Sequence, residues 1–121
     1  MQVLLIEDEP LIQKSLKRLM EKRGLDVTAV SSGKEAISII ANQDFDRIIC
    51  DLMLQDTTGF DVIEESKKKY TREDIARKFV IITAYTSQQV HDKAAEYGCR
   101  VLGKPFADLN AALDIFTLKE D

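Results

Sequence analysis

The sequence has no tryptophan, one histidine, two cysteines and two prolines in 121 residues. The single histidine, His91, falls on the expected wet side of a helix, so neither a histidine-rich metal site nor a Ser–His triad is available. Cys50 and Cys99 show no CxxC or zinc-type spacing and read as reduced thiols of a cytosolic protein. No stretch approaches the roughly 20 apolar residues of a membrane span. The opening residues, Met1 to Asp8, lack a basic region and reach acids at Glu7-Asp8, which does not suit a signal peptide. Positive charge is not in excess either. Seventeen Lys and Arg stand against 21 Asp and Glu, a net charge of -4. Nothing favours direct binding to nucleic acid or to an anionic membrane. Lys67-Lys68-Lys69 reads as a solvated face. Repeats, low-complexity tracts and linkers are missing, so the expectation is one domain spanning residues 1–121.

What is present is an alternation. Val3–Ile6 is a continuous apolar run that ends in Glu7-Asp8. Pro10 suits the first turn of a helix. Leu11, Ile12, Leu16, Leu19 and Met20 then recur at helical spacing, and Gly24 supplies a stop. Val27–Val30 is a weaker strand. Ser32 with Glu35 forms a capping box, and Ala36, Ile37, Ile40 and Ala41 give that helix its inner face. Ile48-Ile49-Cys50 is a third apolar run, ending at Asp51. Gly59–Tyr70 reads as a helix with Glu64–Lys68 and Glu65–Lys69 as pairs on its wet face. Thr71–Lys78 is polar, with room for one helical turn. Phe79–Ile82 is a fourth strand ending at Thr83. Ser87 caps a helix with Val90, Ala94 and Tyr97 inward, closed by Gly98. Val101-Leu102 is a short fifth strand before Gly103-Lys104-Pro105. Asp108 caps a last helix with Leu109, Ala112, Leu113 and Phe116 inward. Strands alternating with helices predict a parallel sheet covered on both faces, a doubly wound α/β sandwich with five helices.

The polar residues fall in telling places. Glu7-Asp8, Asp51, Thr83 and Lys104 each follow the C-terminal end of an expected strand, and in an open α/β sheet those ends converge on one edge where ligands bind. Three carboxylates gathered there repel; two like charges ~4 Å apart cost about 4 kcal/mol at an effective dielectric near 20. A hard divalent cation with oxygen ligands relieves this, and Mg²⁺ suits a site that also holds phosphate oxygens. Lys104 places positive charge where a phosphoryl group develops negative charge, and Thr83 offers a hydroxyl. A carboxylate can act as nucleophile and form an acyl phosphate.

Taken in order, Glu7-Asp8, Asp51, Thr83-Ala84 and Lys104-Pro105-Phe106 resemble the receiver domains of bacterial response regulators, the CheY-like family of two-component signalling. Gly59 fits that family's loop beyond the phosphoacceptor, and the resemblance spans the whole chain. It implies a flavodoxin-like fold with a five-stranded parallel sheet in the order 2-1-3-4-5. It also implies that Asp51 accepts a phosphoryl group from a histidine kinase or a phosphotransfer protein, in a Mg²⁺-dependent reaction. Asp8 would be a direct Mg²⁺ ligand, Glu7 would hold the ion through water, and Met53 would lend its backbone carbonyl. Lys104 would contact the phosphoryl group, with a cis bond to Pro105. Thr83 would be the switch hydroxyl, and Ala84 the small residue that leaves room for the phosphoryl group. The implied protein is a cytoplasmic phosphorylation switch, catalysing its own phosphorylation and a slow dephosphorylation, that signals to an output domain or target which the residues do not name.

Two positions depart from the family pattern. Gln55 stands where many receivers have proline, and Val101 stands where an aromatic usually precedes the lysine. Tyr85, after the Thr83-Ala84 turn, is either a plain surface aromatic or a gate on the pocket. Two other functions compete. A phosphohydrolase using Asp51 as nucleophile would want a second acid two residues on, where Met53 stands. A protein-interaction module that has lost phosphorylation would not need Glu7, Asp8, Thr83 and Lys104 together. The chain reads equally as a stand-alone receiver or as part of a longer protein.

Overall fold

The structure, a computed structural model, describes residues 1–117; the last part of the expected 1–121 domain lies outside the described residues. Five strands form one parallel sheet in the order β2-β1-β3-β4-β5. They are β1 (Gln2–Ile6), β2 (Asp26–Val30), β3 (Arg47–Asp51), β4 (Phe79–Thr83) and β5 (Arg100–Gly103). The helices between and after them are α1 (Pro10–Lys22), α2 (Gly33–Asn42), α3 (Gly59–Ser66), α4 (Arg72–Lys78), α5 (Gln88–Tyr97) and α6 (Leu109–Thr117).

Side chains alternate across the central strand β1, and the two sets enter different cores. Val3 and Leu5 pack with Leu16 and Met20 of α1 and with Ala112, Leu113 and Phe116 of α6. Leu4 and Ile6 pack with residues of α2, α3, α4 and α5, among them Ile40, Ile63, Ile75 and Tyr97. All four are fully buried. Each such side chain contributes about 1.5–3 kcal/mol by leaving water. Burial on both faces is why Val3–Ile6 is apolar at every position rather than every second one.

Helix ends follow their local chemistry. Ser32, Thr58, Thr71 and Ser87 each accept a backbone N–H from the first turn they open. Asp108 does the same for Ala111 at 3.0 Å. Gly24 and Gly98, with φ of 86° and 73°, close α1 and α5 in the left-handed region.

The structure corrects several expectations. Among the described residues there are six helices, not five, because Arg72–Lys78 continues beyond one turn. Thr71 and Asp74 form a reciprocal capping box, and Ile75 alone anchors the helix in the core. One apolar anchor leaves no period to read. Helix α3 stops at Ser66, and its lysines pair three residues back, Lys67 with Glu64 and Lys68 with Glu65, while Lys69 reaches Asp44. Leu109, the first residue of α6, is exposed rather than inward, and Leu11 in the first turn of α1 is exposed as well. Ala41 is also exposed. Strand β3 begins one residue early, at Arg47, which lies buried and donates to the Arg77 carbonyl at 2.6 Å.

Candidate functional site

The C-terminal ends of β1, β3, β4 and β5 bring the expected polar residues to one edge of the sheet. Glu7, Asp51 and Thr83 are buried there. Asp8 is half-buried at the mouth, and Met53 is exposed. Strand register carries the placement: Asp51 pairs with Ile82, and Thr83 pairs with Gly103, the residue before Lys104. The Lys104 N–H donates to the Thr83 carbonyl at 2.7 Å, which fixes where the lysine leaves the sheet. The bond between Lys104 and Pro105 is cis, as the resemblance implied.

Lys104 joins the two buried acids. Its Nζ lies 2.9 Å from Glu7 Oε1 and 2.9 Å from Asp51 Oδ2. The second oxygen of Glu7 accepts the Glu9 N–H at 3.1 Å. Asp51 Oδ1 accepts the Met53 N–H at 3.3 Å. Burial pushes the Glu7 carboxyl up to about 7, against the pull of the hydrogen bonds from Lys104 and Glu9 and with the charge of Asp51 adding to the rise. For Lys104, burial favours the neutral amine, but the bonds to Glu7 and Asp51 more than offset it and hold the ammonium above its ordinary range. One ammonium therefore faces an excess of negative charge.

Oxygens of Glu7, Asp8 and Asp51 lie within 4.8 Å of one another, a spacing and donor chemistry that fit a hard cation. Thr83 Oγ1 accepts the Tyr85 N–H at 3.0 Å, so the loop after β4 is fastened to the hydroxyl. Tyr85 is 68% exposed and Met53 54%, two large side chains open to solvent. Val101 is half-buried against the core on the side of α5. Cys50, next to Asp51, turns into that same core; burial, with the charges of Asp51 and Glu7 behind it, pushes its thiol far up. Both cysteines are free and buried, and His91 is exposed.

Residues 3–114 match the family described as the response regulator receiver domain. The chain belongs to that family. The receiver is 32% identical over 117 residues to response regulator SaeR of Staphylococcus aureus, covering 96% of this chain and 49% of that protein. It thus spans about half the length of the curated relatives it matches. Among solved structures it resembles the non-phosphorylated HemR receiver domain from Leptospira biflexa, with a TM-score of 0.85, 28% identity and coverage of 99% and 97% of the two chains. It also resembles the receiver domain of sensor histidine kinase PA1611 from Pseudomonas aeruginosa PAO1, with a TM-score of 0.77, 25% identity and 95% of each chain covered. That structure has a magnesium ion coordinated in its active site cleft. The receiver is a module of two-component signalling, a switch. Among its described residues, no helix is long and apolar enough to cross a membrane.

Sequence reasoning did not find two supports of the site. Gln13 donates from its side chain to the carbonyls of Glu7 and Val30, at 2.9 and 3.0 Å, bracing the acidic turn against β2. Asp56 binds the start of α2. A glutamine inside a helix and an aspartate in a loop carry no signal of such distant contacts.

Proposed function

We propose that Asp51 is the phosphoacceptor of this receiver and that Lys104 and Thr83 are the groups that serve it. The observation that carries this is the single ammonium shared between Glu7 and Asp51 at the sheet edge. The Asp51 carboxylate attacks phosphorus, the P–N bond to a phosphohistidine breaks, and the imidazole leaves with a proton from solvent. The product is an acyl phosphate on Asp51. Lys104, freed from Asp51 Oδ2 by that reaction, neutralises a phosphoryl oxygen, and the Thr83 hydroxyl donates to another. Asp8, Asp51 and the Met53 carbonyl would hold Mg²⁺, with Glu7 behind them through water. The ion supplies charge neutralisation for the incoming phosphoryl oxygens.

On this reading residues 1–121 are one receiver domain acting in the cytoplasm. Its donor is a histidine kinase or a phosphotransfer protein, its effect is passed to an output domain or target protein, and it binds neither nucleic acid nor membrane itself. Phosphorylation and slow hydrolysis are both carried by its own side chains. The test is intact mass spectrometry after incubation with Mg²⁺ and acetyl phosphate. One phosphoryl mass should appear on Asp51. Labelling that survives Asp51→Asn moves the acceptor elsewhere, and no labelling at all favours an interaction module.

A further inference from the structure

The loop after Asp51 carries its own anchor. Residues 52–58 turn back on themselves: Met53 and Thr58 pair as an antiparallel bridge, and the Leu54 N–H donates to the Thr57 carbonyl at 3.1 Å. At the tip, Asp56 reaches across to α2. Its Oδ1 accepts the Gly33 N–H and its Oδ2 the Lys34 N–H, both at 3.0 Å. These two donors hold the Asp56 carboxyl below its ordinary range. Ser32 already takes the third free N–H, from Glu35, so Asp56 completes the first turn of α2. The fit leaves no slack. A Cβ on Gly33 would lie 2.1 Å from Thr57 Cγ2 and 3.3 Å from Leu54 Cδ1.

The far side of this contact is the acidic turn. Ser31 and Gly33 flank the helix cap directly after β2, and the last β2 carbonyl, Val30, accepts the Glu7 N–H at 3.0 Å. A short path thus runs from Glu7 through Val30 to Gly33, across Asp56, and through the bridge to Met53. A proline at position 55 would restrict this loop by its ring. Gln55 does not, and the two oxygens of Asp56 tether the loop to α2.

We infer that Asp56 is a positioning residue that holds the Met53 carbonyl in register with Asp8 and Asp51 for divalent cation binding. This rests on the proposed metal reading of those residues. With the tether cut, the loop samples other arrangements, and the apparent affinity falls by the fraction that remains competent.

The experiment titrates the full chain with Mg²⁺ alone, followed by amide NMR, for wild type, Asp56→Ala, Asp56→Asn and Asp8→Asn. Exchange of the Gly33, Lys34 and Leu54 amides is measured in the metal-free protein. Asp56→Ala should bind Mg²⁺ about tenfold more weakly, the low end for partners that orient a metal ligand. Its Leu54 amide, inside the loop, should exchange faster along with those of Gly33 and Lys34. Asp56→Asn keeps one acceptor and should fall between Ala and wild type. An Asp56→Ala chain with unchanged Mg²⁺ affinity, beside an Asp8→Asn chain with weakened affinity, overturns the positioning role and leaves the metal site standing. Unchanged affinity in Asp8→Asn overturns both. An Asp56→Asn as weak as Asp56→Ala shows that charge rather than tethering is felt, and also overturns the inference.

Discussion

Replacing Lys104 with methionine keeps the length of the side chain and removes its charge. Glu7 and Asp51 then face each other without the ammonium that now lies 2.9 Å from each. Removing one partner of a buried ion pair costs about 3–5 kcal/mol. The low end applies, because the Lys104 side chain keeps 10% exposure and Asp51 keeps 8%. A loss of about 3 kcal/mol would lower the urea midpoint by about 2 M, at an m-value near 1.5 kcal/mol/M. The loss should also depend on pH. Glu7 is raised from its ordinary 4.5 to about 7 in the folded chain. A carboxyl raised on folding keeps a proton that the unfolded chain has released. Its contribution is full below 4.5 and is lost as pH rises through about 7. Lys104→Met removes the strongest interaction opposing that rise, so its loss extends to higher pH. The gap between variant and wild type should be wide at about pH 8 and narrow at about pH 5.5, in urea melts followed by circular dichroism with EDTA present. Millimolar Mg²⁺ should bind the variant at least as well as wild type and restore part of the deficit, since the competing ammonium is gone. A gap that is absent, or equally wide at both pH values, would refute this account of the charge balance.

Asp8→Asn should weaken Mg²⁺ binding and slow phosphorylation more than Glu7→Gln, because Glu7 is committed to Lys104 and the Glu9 N–H; equal effects in a Mg²⁺ titration would contradict the roles given to the two acids. Met53 and Tyr85 are exposed, and neither can orient a water well, so hydrolysis of an acyl phosphate on the proposed acceptor should be slow. Met53→Asn combined with Tyr85→Glu should speed it several-fold in a mass-spectrometric decay assay, and an unchanged rate would remove both residues from consideration as shields. Beryllofluoride should draw the Thr83 hydroxyl inward and release the Tyr85 N–H it now accepts, so amide shifts should be large across Ala84–Ser87. Shifts confined to Val101 and α6 would show that the signal leaves by the other route.

Much of this was legible in the residues because strand ends announce themselves. A run such as Val3–Ile6, apolar at every position and then abruptly acidic, has few other meanings. The same holds for Phe79–Ile82 before Thr83 and for the run before Asp51. Helix α4 was not legible as a helix, because a capping box and one core contact at Ile75 leave no periodic stripe. Leu109 misled for a related reason: helical spacing marks a face, and says nothing of whether the core extends far enough to cover the first turn. The support of the site was hidden by distance along the chain. Lys104 meets Glu7 across 97 residues and Asp51 across 53, and only the folded register brings them together. Asp56 was hidden by chemistry, since a loop aspartate is most often bound within its own turn.

Cys50 bears on what the proposed acceptor, Asp51, must avoid. An acyl phosphate is an activated carboxyl, open to attack by any strong nucleophile, and a thiolate is stronger than water. The chain places a thiol immediately before Asp51, the proposed acceptor. Pleating sends that sulfur into the apolar layer beneath α3 and α5, while the carboxylate emerges at the edge. Burial and the neighbouring acids keep it protonated as well. Two separate barriers, of direction and of ionisation, therefore stand between the sulfur and a thioester. On the proposed reading, an acyl phosphate on Asp51 drains by transfer to a partner or by hydrolysis, and its clock is set at the solvent-facing mouth.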